Sequence, residues 1–170
     1  MESLIPHATL LAQHLIRRGE TIAVAESSTG GLVAAALLAV PGASAFMRGG
    51  GIIYTQHARS GLLGIELAQH PGMRASTEPY AVLLAQTVRM RLGADWGLGE
   101  SGATGPTGNR YGDAAGHSCL AIAGATTHST TIETGSADRV VNMRTFALAL
   151  FDLALAALDQ PLNRDAGAAR

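Results

Sequence analysis

Apolar residues recur along this chain in two rhythms, a three-to-four spacing and short unbroken runs, and their alternation lays out the elements. Leu4, Ile5, Ala8, Leu11, Ala12, Leu15 and Ile16 share one face of a helix over residues 3–18, with Ser3 and Pro6 suited to its start and Gly19 to its end. Residues 21–25 form a short apolar strand. The next helix, to about Val40, is apolar nearly all round, which predicts burial, and Pro41-Gly42 stops it. Residues 49–54 read as a central strand whose glycines allow close packing, and Thr55 caps a short helix over 56–63 ended by Gly64. An irregular loop over 66–76 precedes a helix opened by Ser76-Thr77-Glu78-Pro79, with Ala81, Leu84, Ala85, Val88 and Leu92 as its stripe. Residues 96–100 are a strand, 107–115 an exposed loop, and 117–123 with 127–134 a hairpin around Gly124. A last helix covers 138–158. The class is α/β: a three-layer α/β/α sandwich around a central mixed sheet. Residues 1–160 are expected to be a single domain, and 161–170 a frayed, disordered tail.

Two strands run into turns rich in glycine and hydroxyls. Ala25-Glu26-Ser27-Ser28-Thr29-Gly30-Gly31 leads into a helix, whose first backbone N–H groups lack intrahelical partners and carry partial positive charge. With three hydroxyls and two glycines beside them, an anion such as phosphate is the natural guest. An ordinary helix cap is the plainer reading, since the stretch has neither a P-loop lysine nor a GxGxxG spacing. The second turn is Ser101-Gly102-Ala103-Thr104-Gly105-Pro106-Thr107-Gly108. In an open α/β sheet both turns meet at the rim where ligands bind.

Composition narrows the picture. A net charge of −1 argues against a surface built to neutralise nucleic-acid phosphates. All 12 members of the Lys+Arg total are arginines, so no lysine base is available. The single Cys119 excludes an internal disulfide and fits a reducing cytoplasm. No basic leader with an apolar core opens the chain, and the apolar stretches look too short or too interrupted to span a bilayer. The expectation is therefore a cytoplasmic protein. Scattered histidines give no metal spacing, and no metal or cofactor is expected. Six histidines permit a Ser-His-Asp triad on composition, but no GxSxG elbow occurs. His57 and His117 stay in view, while Asp95 and Glu100 bracket a strand as structural carboxylates. Ser44 and the 54–59 segment, together with the two turns, suggest a hydrolase site in which Tyr54 or a basic group relays the serine proton.

Five stretches carry a more specific signal in their order and spacing: the 25–31 turn, Pro41-Gly42-Ala43-Ser44, Gly51-Ile52-Ile53-Tyr54, Ser101-Gly102-Ala103-Thr104-Gly105-Pro106 and Ser136-Ala137-Asp138-Arg139. On these residues the chain resembles the CinA C-terminal domain family over residues 4–158, whose active members deamidate nicotinamide mononucleotide. The resemblance implies an amidohydrolase of pyridine-nucleotide salvage and NAD metabolism, releasing ammonia and nicotinate mononucleotide. It places the nucleophile at Ser44, a proton relay at Tyr54, and Arg59 where the family has a catalytic lysine. It gives substrate binding to Ser27, Ser28, Thr29, Gly30, Gly31, Ser101, Gly102, Gly105 and Arg139. The expected partners are a small-molecule nucleotide and further copies of the chain as a homo-oligomer, with no nucleic acid and no membrane. Ser28 stands where a cysteine is usual, and the loop after Pro106 keeps only Gly108 of a glycine pair. Arginine stays protonated in proteins, so Arg59 cannot accept a serine proton as lysine can. Tyr54 as a tyrosinate beside Arg59, or His57, is the alternative acceptor. A catalytically silent paralogue that binds a pyridine nucleotide or other phosphate ligand is the second reading.

Overall fold

The computed structural model describes residues 1–159, so the tail expected over 161–170 lies outside the described residues. Five strands, β1 (Ile22–Glu26), β2 (Met47–Ile52), β3 (Trp96–Ala103), β4 (His117–Ala123) and β5 (Thr127–Glu133), form one sheet in the order β2-β1-β3-β4-β5. Strand β1 runs parallel to β2 and β3, and the β3-β4-β5 meander is antiparallel. The sheet is mixed, as expected. Fully buried β1 and β4 read as continuous small and apolar runs because both of their faces are covered.

One face carries α1 (Ile5–Arg18), α2 (Leu32–Leu38) and α5 (Arg139–Asp159), which pack on one another over β4. Here Leu11, Leu15, Val24, Leu37, Phe46, Leu98, Leu150 and Phe151 make the larger core. By length and mean hydropathy (1.5) α5 could cross a membrane, which corrects the expectation that no stretch could. In this fold its Phe146, Ala147, Leu150, Phe151 and Ala154 are fully buried in the core.

The other face carries α4 (Glu78–Leu92), capped by Thr77, whose hydroxyl accepts from Tyr80 N–H. It lies so close to β3 that a Cβ at Gly97 or Gly99 would strike the carbonyl oxygens of Ala85 and Ala81. Three elements differ from the sequence reading. The strand expected as central over 49–54 is β2, which spans Met47–Ile52 and lies at the edge of the sheet beside β1. Strand β3 continues through Ser101, Gly102 and Ala103, because Cys119, Ser118 and His117 supply partners across the ladder. The helix expected over 56–63 is a single turn, α3 (Gln56–Ala58), that widens into a π-turn over Arg59–Leu63 and ends at Gly64 in the left-handed region.

Candidate functional site

The β1–α2 turn is built around two buried carboxylates. Glu100 on β3 is fully buried and accepts from the backbone N–H of Ser27 and of Thr29, each at 3.0 Å. It also accepts from the hydroxyls of Ser28, Thr29 and Ser118. Glu26, at the end of β1, accepts from Val33 N–H (3.1 Å) and Ala34 N–H (2.9 Å), and its carboxyl meets the Thr29 hydroxyl at 2.6 Å. The expectation of free N–H groups awaiting a phosphate is thereby corrected: the protein's own carboxylates occupy those donors. Burial pushes the Glu26 carboxyl up, against the hydrogen bonds from Thr29, Ala34 and Val33, and the neighbouring Glu100 adds to the rise. The single Thr29 hydrogen cannot serve both carboxylates at once.

Beyond this turn, at the C-terminal ends of β1 and β3, opens a cavity of about 410 Å³. Ser27, Tyr54, Arg59, Ser101 and Gly102 line it, joined by Ser76, Tyr80, Asn109, Arg110 and Tyr111. A neighbouring recess of about 250 Å³ shares Tyr54, Gly102 and Asn109 and adds Ser28, Gly105 and Arg139. All three tyrosines of the chain line the larger cavity. Among the described residues three arginines border the pair of cavities, and no aspartate or glutamate does. The combined space suits an anionic ligand with an aromatic part.

Each cation is held differently. Arg59 starts the π-turn, is only 7% exposed, and donates from Nε to Ile65 O at 3.2 Å. It makes no ion pair among the described residues. Burial pushes the Tyr80 hydroxyl up, with the nearby Arg59 guanidinium opposing, so Tyr80 remains a phenol. Arg139, at the start of α5, donates to Gly105 O (2.7 Å) and to the Tyr54 hydroxyl (3.3 Å). Arg110 is exposed and lies over the Tyr111 ring, 5.0 Å from its centre. Behind Tyr111, Arg74 grips Asp113 with two bonds (2.6 and 2.9 Å) and ties the 107–115 loop to the loop before α4.

The floor is braced from below. Ser76 adopts a left-handed φ of 57°, unusual outside glycine; its N–H donates to Ser101 Oγ at 3.2 Å. Its carbonyl accepts from His117 Nε2 at 3.1 Å, while His117 Nδ1 lies 2.5 Å from Glu133. Both ring nitrogens donate only in the imidazolium form. Burial works against that charge, but the bonds to Glu133 and to the Ser76 carbonyl prevail and raise the pKa.

A family model of the CinA C-terminal domain matches residues 5–158. The chain belongs to the CinA C-terminal domain family. It is similar to a CinA-like protein of Gloeobacter violaceus, 42% identical over 117 residues that make up 69% of this chain and 28% of that protein. A CinA-like protein of Anaeromyxobacter dehalogenans is 39% identical over 149 residues, 86% of this chain and 36% of the relative. The chain thus spans about a third of the length of these relatives. Among solved structures, a competence-damaged protein (CinA) superfamily protein from Enterobacter cloacae superposes with a TM-score of 0.84 at 26% identity, covering 91% of this chain and 92% of that one. A competence or damage-inducible protein from Enterobacter asburiae gives 0.81 at 29% identity, covering 91% and 98%.

Within this CinA domain the residues implied by the family pattern divide. Ser27, Tyr54, Arg59, Ser101, Gly102, Ser28, Gly105 and Arg139 line the joined cavities; Thr29, Gly30 and Gly31 line neither. Ser44 does not meet Tyr54 and Arg59 within one chain. It sits in the 3₁₀ turn Ala43–Ala45 ahead of β2, whose first residue, Met47, pairs with Ile22 at the far end of β1. Strand β2 runs from that turn toward the cavity, so six residues of strand separate the two, roughly 20 Å at about 3.3 Å per residue. His57 is exposed and lines neither space. Tyr80, Tyr111, Asn109, Arg110 and Ser76 are cavity residues that sequence reasoning missed. The one available signal was the scarcity of tyrosine.

Proposed function

We propose that this CinA domain is an amidohydrolase that takes nicotinamide mononucleotide in the joined cavities and hydrolyses its carboxamide. One observation carries the reading: arginines line a tyrosine-walled space that no aspartate or glutamate among the described residues borders. Arg139 and the Gly105 segment suit the phosphate, and the tyrosines suit a positively charged pyridine ring. In the reaction a serine oxygen attacks the amide carbon, the C–N bond breaks, and the nitrogen takes a proton and leaves as ammonia. Water then cleaves the ester, giving the carboxylate and restoring the serine. Tyr54 passes the proton in this reading, supported by the hydrogen bond its hydroxyl accepts from Arg139. The nucleophile implied by the family pattern, Ser44, reaches this space only from a second copy of the chain.

The test measures ammonia released from nicotinamide mononucleotide. Wild type is expected to release it, and Ser44→Ala and Tyr54→Phe each to lose at least a hundredfold. Mixing those two variants should restore activity if Ser44 arrives from a neighbouring copy. Undiminished release by Ser44→Ala would remove it as nucleophile. A second reading, nucleotide binding without turnover, is favoured by the permanent charge of Arg59, which cannot serve as base. It expects no release from wild type and release gained in Arg59→Lys.

A further inference from the structure

We propose that Arg59 is a carboxylate receptor, and that the cavity holds a pyridine mononucleotide in its 3-carboxylate form in preference to the carboxamide. This rests on the reading that the cavity takes a pyridine mononucleotide, and it holds whether or not the amide is turned over.

Arg59 is a buried guanidinium with no counter-charge. It is 7% exposed and lines the cavity, and no carboxylate pairs with it among the described residues. A buried charge left in that state is costly, and an entering anion relieves the cost. It donates to a neutral group, the Ile65 carbonyl, and the phenol beside it, Tyr80, is neutral too. The other two cations differ. Arg139 is already engaged with Gly105 O and Tyr54 at the second recess, and Arg110 is exposed on Tyr111. Those two suit a hydrated phosphate near the mouth, which leaves the pyridine substituent to face Arg59.

Charge then decides between the two substituents. The pyridine ring is cationic in both nucleotides. With a carboxamide, the ring's charge and the guanidinium lie close in a shielded space with nothing between them. With a carboxylate, one negative group neutralises the ring and pairs with Arg59 together. Hydrogen bonding agrees. A guanidinium only donates, a carboxylate only accepts, and an amide brings its own donors against the fork. A lysine here can shed its proton and release this hold; arginine keeps it.

Isothermal titration of the intact protein with nicotinate mononucleotide and with nicotinamide mononucleotide decides the matter, with ammonia followed in parallel to exclude hydrolysis during the titration. The acid is expected to bind wild type at least tenfold more tightly. Arg59→Gln should lose at least tenfold for the acid and less than threefold for the amide, and Arg59→Lys should keep part of the preference. Equal or tighter binding of the amide overturns the proposal and leaves the nucleotide reading standing. An equal loss of both ligands in Arg59→Gln overturns it too, because Arg59 then meets the shared phosphate. Binding of neither overturns both. The wild-type comparison needs no variant to fold.

Discussion

Two buried charges sit at the same rim of the sheet and are treated in opposite ways. Glu100, fully buried, is surrounded by two backbone N–H groups and three hydroxyls from the β1–α2 turn and β4. Arg59, nearly as deep, faces a cavity with no partner of opposite charge among the described residues. A charge whose bonds the protein completes is scaffold: it fixes the shape of the turn and cannot respond to a ligand. A charge whose bonds are left incomplete keeps its energy for a guest. Glu100→Ala should therefore produce the largest loss of stability, about 3–5 kcal/mol, because it orphans five donors together. Urea unfolding would show it as a lowered midpoint at unchanged m. A loss under about 1 kcal/mol would break the comparison.

Arg59→Met reverses the sign. Removing an uncompensated buried cation is expected to leave the unliganded protein as stable as wild type or up to about 1 kcal/mol more stable, while ligand binding falls. Destabilisation beyond about 2 kcal/mol in the same urea experiment would make Arg59 a structural residue and collapse the distinction from Glu100. A smaller effect is expected at Asp113. Its carboxyl is held below the usual range by the Arg74 bond first, against burial, and by Asn109. Arg74 is well exposed, so the pair contributes at most about 1 kcal/mol to stability. Asp113→Ala should act mainly on the 107–115 loop, raising Kd for the nucleotide a few-fold by loosening Tyr111. Unchanged Kd would show that the loop needs no strap.

What the sequence discloses and what it hides follow the same division. The amphipathic α1 is legible because burial of one face imposes a period on neighbouring residues, and β1 and β4 because burial of both faces leaves short unbroken runs of small and apolar residues. The full length of β3 is not, since Ser101-Gly102 is small and polar and becomes strand only because Ser118 and Cys119 lie opposite. The π-turn at Arg59 has no local signature. Ser27, Tyr54, Arg59 and Ser101 come together as expected of residues at strand ends, and Ser44 does not, because a turn that precedes a strand belongs to the opposite rim. Tyr80 is hidden in the apolar stripe of α4, and Tyr111 in a loop whose placement depends on Arg74. Least legible of all is that Glu26 and Glu100 fill the backbone donors that the turn's sequence offers to an outside anion.

His117 stands between the two extremes, a buried cation whose partner Glu133 is half in water. Its pKa is raised: burial lowers it, but Glu133, the Ser76 carbonyl and nearby Asp113 outweigh that. A group raised above its unfolded value, about 6.5 for histidine, contributes stability that is fully present below that pH. The contribution fades as pH rises through the folded-state pKa. Because Glu133 is exposed, solvent screens the pair, and this is the smallest effect expected here. Compared with His117→Gln, wild type should lose its stability advantage as pH rises from about 6.5 through the raised folded-state pKa, and the advantage should be larger in low salt. Ser76, held at a left-handed φ by the same imidazolium, lines the cavity, so nucleotide affinity should decline over the same interval. If affinity stayed flat while stability fell, the brace would serve the fold alone, and His117 would belong with Glu100 rather than with Arg59.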